Sequence, residues 1–328
     1  MLPKADLHVH LEGTITPDMV RTLAARNGIP MPDGLMNAAQ NGYLWDMTGG
    51  ARQSLLAFVN AYDRACMVMK TGDDYTSITQ DYLDRAAAEG CIYVEFFISA
   101  DHGAALGLSF GDMVRAIARG IDQARDKNGI EARLISTCVR HYGPEKCLAA
   151  GKATAAHPHP LVTGFGMAGD ENAGAVADFL PAYVASGLQN RTAHAGEAAG
   201  PDSVRAARDL LGIRRFGHMV RALEDDELME ELIALRAVPE VCVSSNMALK
   251  VYRTYGEHPL RIFFDRGLKV TLGSDDPSFF HTSIGREYKI ARDHFGFTDT
   301  ELRQLTVNAL QEAFVDEKTR QELLSKVV

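Results

Sequence analysis

Neither a pairable set of cysteines nor a long apolar run occurs in this sequence. The five cysteines, Cys66, Cys91, Cys138, Cys147 and Cys242, are odd in number, widely spaced and never arranged as C-x-x-C. That pattern argues against a disulfide framework or a cysteine zinc site and fits a reducing cytoplasm. No apolar stretch reaches the ~20 residues that a membrane span needs, and Lys4, Asp6 and His8 stand where a signal peptide would carry its apolar core. A cytoplasmic protein with no membrane partner is expected. Positive charge is scarce as well: 34 Lys and Arg face 43 Asp and Glu, a formal net charge of -9. Such a field repels phosphate backbones, so no nucleic-acid partner is expected either. Linkers, charge blocks and low-complexity tracts are also missing, and residues 1–328 read as one domain.

What is present is a rhythm. Hydrophobic residues make up 46% and charged residues 23%, the proportions of an ordinary globular chain with a large core. Short β-rich runs (ADLHVH, then CIYVEFFIS, ARLISTCV, LVTGFGM, LQNRTAHAG, IRRFGHMV, VPEVCVSS and LKVTLGSDD) alternate with amphipathic segments such as PDSVRAARDLLG and EDDELMEELIALR. Strands separated by single helices pair in parallel through right-handed crossovers. Eight such units predict a (β/α)8 TIM barrel. Between the first two strands lie about 80 residues, far more than a crossover needs, including TPDMVRTLAARNG, SLLAFVNAYDRACMVMK and DDYTSITQDYLDRAAAEG. These are expected to be inserted helices capping the C-terminal mouth, where they would exclude water during chemistry.

Barrels of this kind gather function at the C-terminal ends of their strands. Here the first strand ends in His8-Val9-His10, the fourth in Gly169-Asp170-Glu171, the fifth in His194-Ala195-Gly196-Glu197, the sixth in Gly217-His218 and the eighth in Ser274-Asp275-Asp276-Pro277. Alone, His8 and His10 project to one side of a strand as either a metal-ligand pair or a polar strand end. Together with His194 and Asp275 they make a natural zinc ligand set, three imidazoles and a carboxylate with room for a water molecule. Glu197 is then placed to exchange a proton with substrate, His218 to orient the hydroxide, and Asp276 to accept a hydrogen bond from substrate.

In this order and at these strand ends, HVHLEG, MAGDE, HAGE, GH and SDDP resemble the adenosine and adenine deaminase family of the amidohydrolase superfamily. CVRH at Cys138–His141 and CVSSN at Cys242–Asn246 resemble family segments too. The resemblance implies one Zn2+ per chain, held by His8, His10, His194 and Asp275. It implies that Glu197 donates a proton to the ring nitrogen beside the attacked carbon and that His218 assists the hydroxide. His10, Glu12, the Gly169 amide and Asp276 would meet the substrate, Asp276 at the imidazole-side nitrogen. The implied reaction is hydrolytic deamination of adenosine and 2′-deoxyadenosine to inosine with release of ammonia, in purine salvage.

Three departures bear on the substrate. Glu12 stands where many adenosine deaminases carry a ribose-contacting Asp, and Glu at this place is often seen in adenine deaminases. MAGDE resembles the adenosine branch, and Met219 replaces the usual Gly after His218. Adenine, or a modified aminopurine, is therefore the alternative substrate. An inactive nucleoside-binding homologue is the alternative of a different class; it would have lost Glu197 or a ligand, and neither is lost. A cytidine-deaminase reading fails for want of P-C-x-x-C, and MAGDE lacks the lysine that bridges a two-metal site. The remaining histidines read as structural: His157 and His159 at the barrel floor, and His102, His258, His281 and His294 as loop or helix residues, with His281 near enough to the eighth strand to line the pocket. Arg140 and His141 read as a supporting pair, Met67 and Met69 as helical core or cap.

Overall fold

The computed structural model describes residues 2–37, 41–46 and 48–327. Eight parallel strands form its centre. β1 (Lys4–His10), β2 (Cys91–Ser99), β3 (Glu131–Val139) and β4 (Val162–Ala168) pair side by side in chain order, and so do β5 (Thr192–Ala195), β6 (Arg215–His218), β7 (Val238–Val241) and β8 (Thr271–Leu272). Two single bridges join the half-sheets, Phe165 with Arg191 on one side and Val9 with Asp275 on the other. At the second seam the His10 amide donates to the Asp275 carbonyl and the Asp275 amide to the His8 carbonyl, each over 2.8 Å. The expected TIM barrel is thus closed.

The strands are buried on both faces because helices cover the outside and side chains fill the interior, hence their near-continuous apolar runs. Of the charged or titratable groups that break that rule, four pair with one another inside the barrel. Arg215 pairs with Glu95 (2.8 Å) and Glu240 (2.7 Å), and Glu240 reaches His8 Nδ1 at 2.9 Å. The second half-sheet is shorter than its sequence runs predict. VPEVCVSS leaves the sheet at Val241 because a helix, Val243–Ala248, begins at once, and LKVTLGSDD leaves it at Leu272 to turn Asp275 inward at φ 60°.

Of the helices expected over the mouth, α1 spans Pro17–Asn27, α2 Ala51–Cys66 and α3 Gly72–Ala88. Thr16 caps α1 through the Met19 amide, and Gly28 ends it at φ 62°. α2 is the cap: Leu55, Phe58, Val59 and Tyr62 recur at helical spacing and turn one face to the cavity. Phe58 packs on Phe279 and Phe280 (ring centroids 5.4 and 4.8 Å), and Tyr43 stacks on Phe279 at 3.9 Å, fastening the cap to the loop after β8. α3 belongs to the outer ring instead, packed on the helix Phe110–Asn128, where Thr76 donates to the Ala116 carbonyl. Met69 is core and Met67 is exposed. Among the described residues, no helix is long and apolar enough to cross a membrane.

Candidate active site

The alternation of β1 puts His8 and His10 on one side, and Phe97 packs against both rings, stacking on His10 at 5.1 Å. His194 arrives from β5 and Asp275 from beyond β8, so that ligand atoms of all four lie within 4.8 Å of one another. His194 Nδ1 faces the Met167 carbonyl at 3.0 Å. A carbonyl only accepts, so Nδ1 carries the ring proton and Nε2 a lone pair. The Glu240 carboxylate fixes His8 in the same tautomer. The Nε2 atoms of His8 and His10 each stand 3.1 Å from that of His194, and Asp275 Oδ1 is 3.6 and 3.4 Å from His8 and His10. Converging lone pairs beside a carboxylate repel one another unless a cation lies between them. This donor set fits a divalent ion of borderline softness. Cys242 also approaches His218 and Asp275; burial pushes its thiol far up, leaving it a poor ligand.

Glu197 lies three residues past His194 and is buried. Burial first, then the neighbouring charges of Asp275 and Glu171, raise its pKa well above the ordinary value. Its loop hangs on Glu171, whose carboxylate accepts from the amides of Gly196 (2.9 Å), Glu197 (2.8 Å) and Ala198 (3.2 Å). A chain of hydrogen bonds behind it sets the tautomer of His218. The Leu260 amide donates to His258 Nδ1, so His258 Nε2 carries the proton and donates to Asn246 Oδ1. Asn246 Nδ2 then faces His218 Nδ1 at 3.2 Å and Glu197 Oε1 at 3.4 Å. An amide nitrogen only donates, so His218 keeps its proton on Nε2, 3.5 Å from Glu197 Oε2. Burial lowers the His218 pKa to about 3, which keeps the ring neutral. Both His218 and Met219 have left-handed backbones (φ 61°), a local strain held by the surrounding strand.

Asp276 is buried, and burial with the adjacent Asp275 charge raises its pKa well above the ordinary carboxylate value. The raised pKa favours a protonated carboxyl, which can donate a hydrogen bond as well as accept one. Its Oδ1 has no hydrogen-bond partner among the described residues, and Gly13 makes room for it, since a Cβ there would fall 2.0 Å from that oxygen.

These groups open into a cavity of about 620 Å³, its mouth included, lined by His10, His194, His218, Glu197, Asp275 and Asp276 at one end and by the α2 face at the other. Gly169 (φ 95°) lies on the wall with His141, whose ring leaves no space for a Cβ. Glu12 does not line the cavity. It is 1% exposed, with Tyr62 and Tyr75 hydroxyls donating to its two oxygens (3.3 and 3.4 Å). Its extra methylene carries the carboxylate into the cap, and His102 lines the wall in its place. His102 stands on the helix Ala100–Ala105 at the cavity wall, and His258 backs Asn246. His281 points away and is exposed, His157 and His159 lie before β4 at the floor, and Arg140 donates to the Ala173 and Gly174 carbonyls.

Comparison with known proteins agrees with this geometry. The adenosine deaminase family model matches residues 3–328. An adenine deaminase of Agrobacterium fabrum is 44% identical over 329 residues, covering 99% of this chain and 98% of its own. Among solved structures, an adenine deaminase from Arthrobacter aurescens is similar with a TM-score of 0.88 and 26% identity, covering 100% of this chain and 98% of that one. A Burkholderia ambifaria amidohydrolase with bound Zn gives 0.87 and 27%, covering 99% and 89%. This chain belongs to the adenosine deaminase family of the amidohydrolase superfamily.

Proposed function

We propose that this protein hydrolyses adenine to hypoxanthine and ammonia, as one catalytic domain spanning residues 1–328 with one Zn2+ held by His8, His10, His194 and Asp275. The observation that carries the reaction is the meeting of that ligand set with a buried, raised-pKa Glu197 at the closed end of a capped pocket. The adenine deaminase names of relatives at 40–44% identity support the free base over the nucleoside of the sequence reading. The sealing of Glu12 behind Tyr62 and Tyr75 supports it independently, since its carboxylate is engaged there and turned away from a ribose. The intact Glu197 and ligand set weigh against an inactive homologue.

When bound, zinc supplies Lewis-acid activation of water near neutral pH. The protein's own groups do the rest. Glu197 gives its proton to N1 of the purine, beside the attacked C6, which breaks the aromaticity that otherwise resists addition. His218 donates from Nε2 to the incoming oxygen and orients it. Asp276 hydrogen-bonds N7 of the base tautomer protonated at N9, while the Gly169 amide meets the ring edge. α2 excludes bulk water, and that burial favours the protonated form of Glu197.

The deciding experiment is ammonia release by zinc-loaded protein offered adenine, adenosine and 2′-deoxyadenosine in parallel. Turnover of adenine with the nucleosides at least an order of magnitude slower is expected. Preferential turnover of a nucleoside would overturn the reading.

A further inference from the structure

The cavity wall carries a charged trio, one member of it behind the lining, that the reaction does not use. His102 stands on the short helix Ala100–Ala105 that follows β2. Its Nδ1 is 3.4 Å from Glu12 Oε1, its Nε2 3.7 Å from Asp63 Oδ1 on α2, and its ring centroid 5.5 Å from that of Tyr62. His102, Tyr62 and Asp63 line the cavity, whereas Glu12 lies behind them. We propose that His102, held between Glu12 and Asp63, is the residue by which the pocket accepts a free aminopurine base and rejects the same base carrying a sugar on N9. The inference rests on the free-base function proposed above and identifies the side chain that enforces it.

Shape and polarity lead to the same assignment. With C6 at the metal-ligating end and N1 at Glu197, a purine turns its N3–N9 edge toward this wall. In the free base that edge carries one acceptor, N3, beside one donor, N9–H. The wall offers the complement. His102 Nδ1 is buried and faces Glu12 behind the wall, whereas Nε2 faces the cavity side, 3.7 Å from Asp63 and outside hydrogen-bond reach of it, so the Nε2 proton is free to meet N3. Asp63, with 44% of its side chain exposed, supplies a carboxylate for N9–H. Burial pulls the His102 pKa down, but the facing Asp63 and Glu12 carboxylates outweigh it and raise it, which favours the ring as a donor. A nucleoside has carbon where the base has its N9 proton. That leaves Asp63 facing C1′ and requires the sugar to stand where Tyr62 and His102 stand. Discrimination therefore rests on the space that Tyr62 and His102 take from the sugar, with the Asp63 carboxylate losing its N9–H partner as well. Glu12 acts through His102 and is a positioning residue.

The test uses zinc-loaded full-length protein and the variants His102→Ala, His102→Asn and Asp63→Asn, each first checked for metal content and melting temperature. Adenine kinetics would be resolved into kcat and KM, and hypoxanthine and inosine binding measured by titration calorimetry. In His102→Ala the adenine KM should rise by on the order of 10–100-fold with kcat within a few-fold, and the hypoxanthine-over-inosine preference should shrink by at least about tenfold. His102→Asn, which restores a donor, should recover part of the KM. Asp63→Asn should weaken the preference in the same direction, and it carries the test should His102→Ala not fold. An unchanged preference in folded, metal-loaded variants of an adenine-selective wild type would refute the role of His102 alone. A wild type that prefers adenosine would refute the proposed function itself.

Discussion

His258 Nε2 donates to Asn246 Oδ1 over 3.1 Å, and this bond fixes which way the Asn246 amide faces. With the oxygen engaged, the nitrogen must point at His218 and Glu197. Replacing Asn246 by Ala frees His218 to exchange tautomers and removes a donor from Glu197. The expected result is a kcat lower by on the order of 100-fold, with KM and metal content little changed. Steady-state kinetics with metal analysis checks this, and an unchanged kcat would show that the tautomer does not matter.

Glu197→Gln keeps the shape of the acid and removes its proton. Turnover should fall by several orders of magnitude while zinc content by elemental analysis stays at wild-type level. His194→Ala should instead lose the metal. Comparable loss of metal in both variants would contradict the division of roles.

Glu240 holds His8 from behind while sharing Arg215 with Glu95. Glu240→Gln keeps the volume but weakens the hold on the Nδ1 proton. Zinc affinity measured by chelator competition should drop by on the order of 10–100-fold. The same affinity in the variant would mean that ring orientation is set elsewhere.

At Gly13 the constraint is space. Ala would place its Cβ against Asp276 Oδ1 and push that carboxyl out of the pocket. Gly13→Ala should therefore raise the adenine KM by on the order of tenfold or more with the fold intact by circular dichroism. Wild-type KM would remove Asp276 from the binding site.

Glu287 offers a pH test remote from the metal ligands. It is fully buried, accepts from the Ser244 amide and Thr282 hydroxyl, and burial raises its pKa to about 7. Above the ordinary value of 4.5 the unfolded chain releases this proton while the native protein keeps it. The stabilisation is therefore complete below about pH 4.5 and is lost as pH rises to about 7, by at most about 3 kcal/mol. Urea melts at pH 5 and pH 8 should show a smaller difference for Glu287→Gln than for wild type. Equal differences would mean that Glu287 titrates alike in both states.

Much of the site was legible because the barrel turns position along the chain into position in space. The period of two placed His8 with His10, and the strand-end rule brought His194 and Asp275 beside them. Relations between loops were not legible. Nothing local says that His258 reaches Asn246, or that one more methylene takes Glu12 into a pair of tyrosines 50 and 63 residues away. His102 did carry a readable signal, being a histidine just past a strand's C-terminal end, the same signal that singled out His194. Glu95, Arg215 and Glu240 carried another, since a charge within an apolar barrel strand must find its partner inside.

The seam between Val9 and Asp275 makes the last strand's loop a neighbour of the first strand, and the four candidate ligands divide evenly across it. His8 and His10 ride on one half-sheet, His194 and Asp275 with the other. Neither half alone can assemble the ion's coordination sphere. During refolding, tight metal uptake should therefore appear only after the N- and C-terminal portions have docked. A metal held by these four residues would mark the pairing of the first strand with the last and would then span the join.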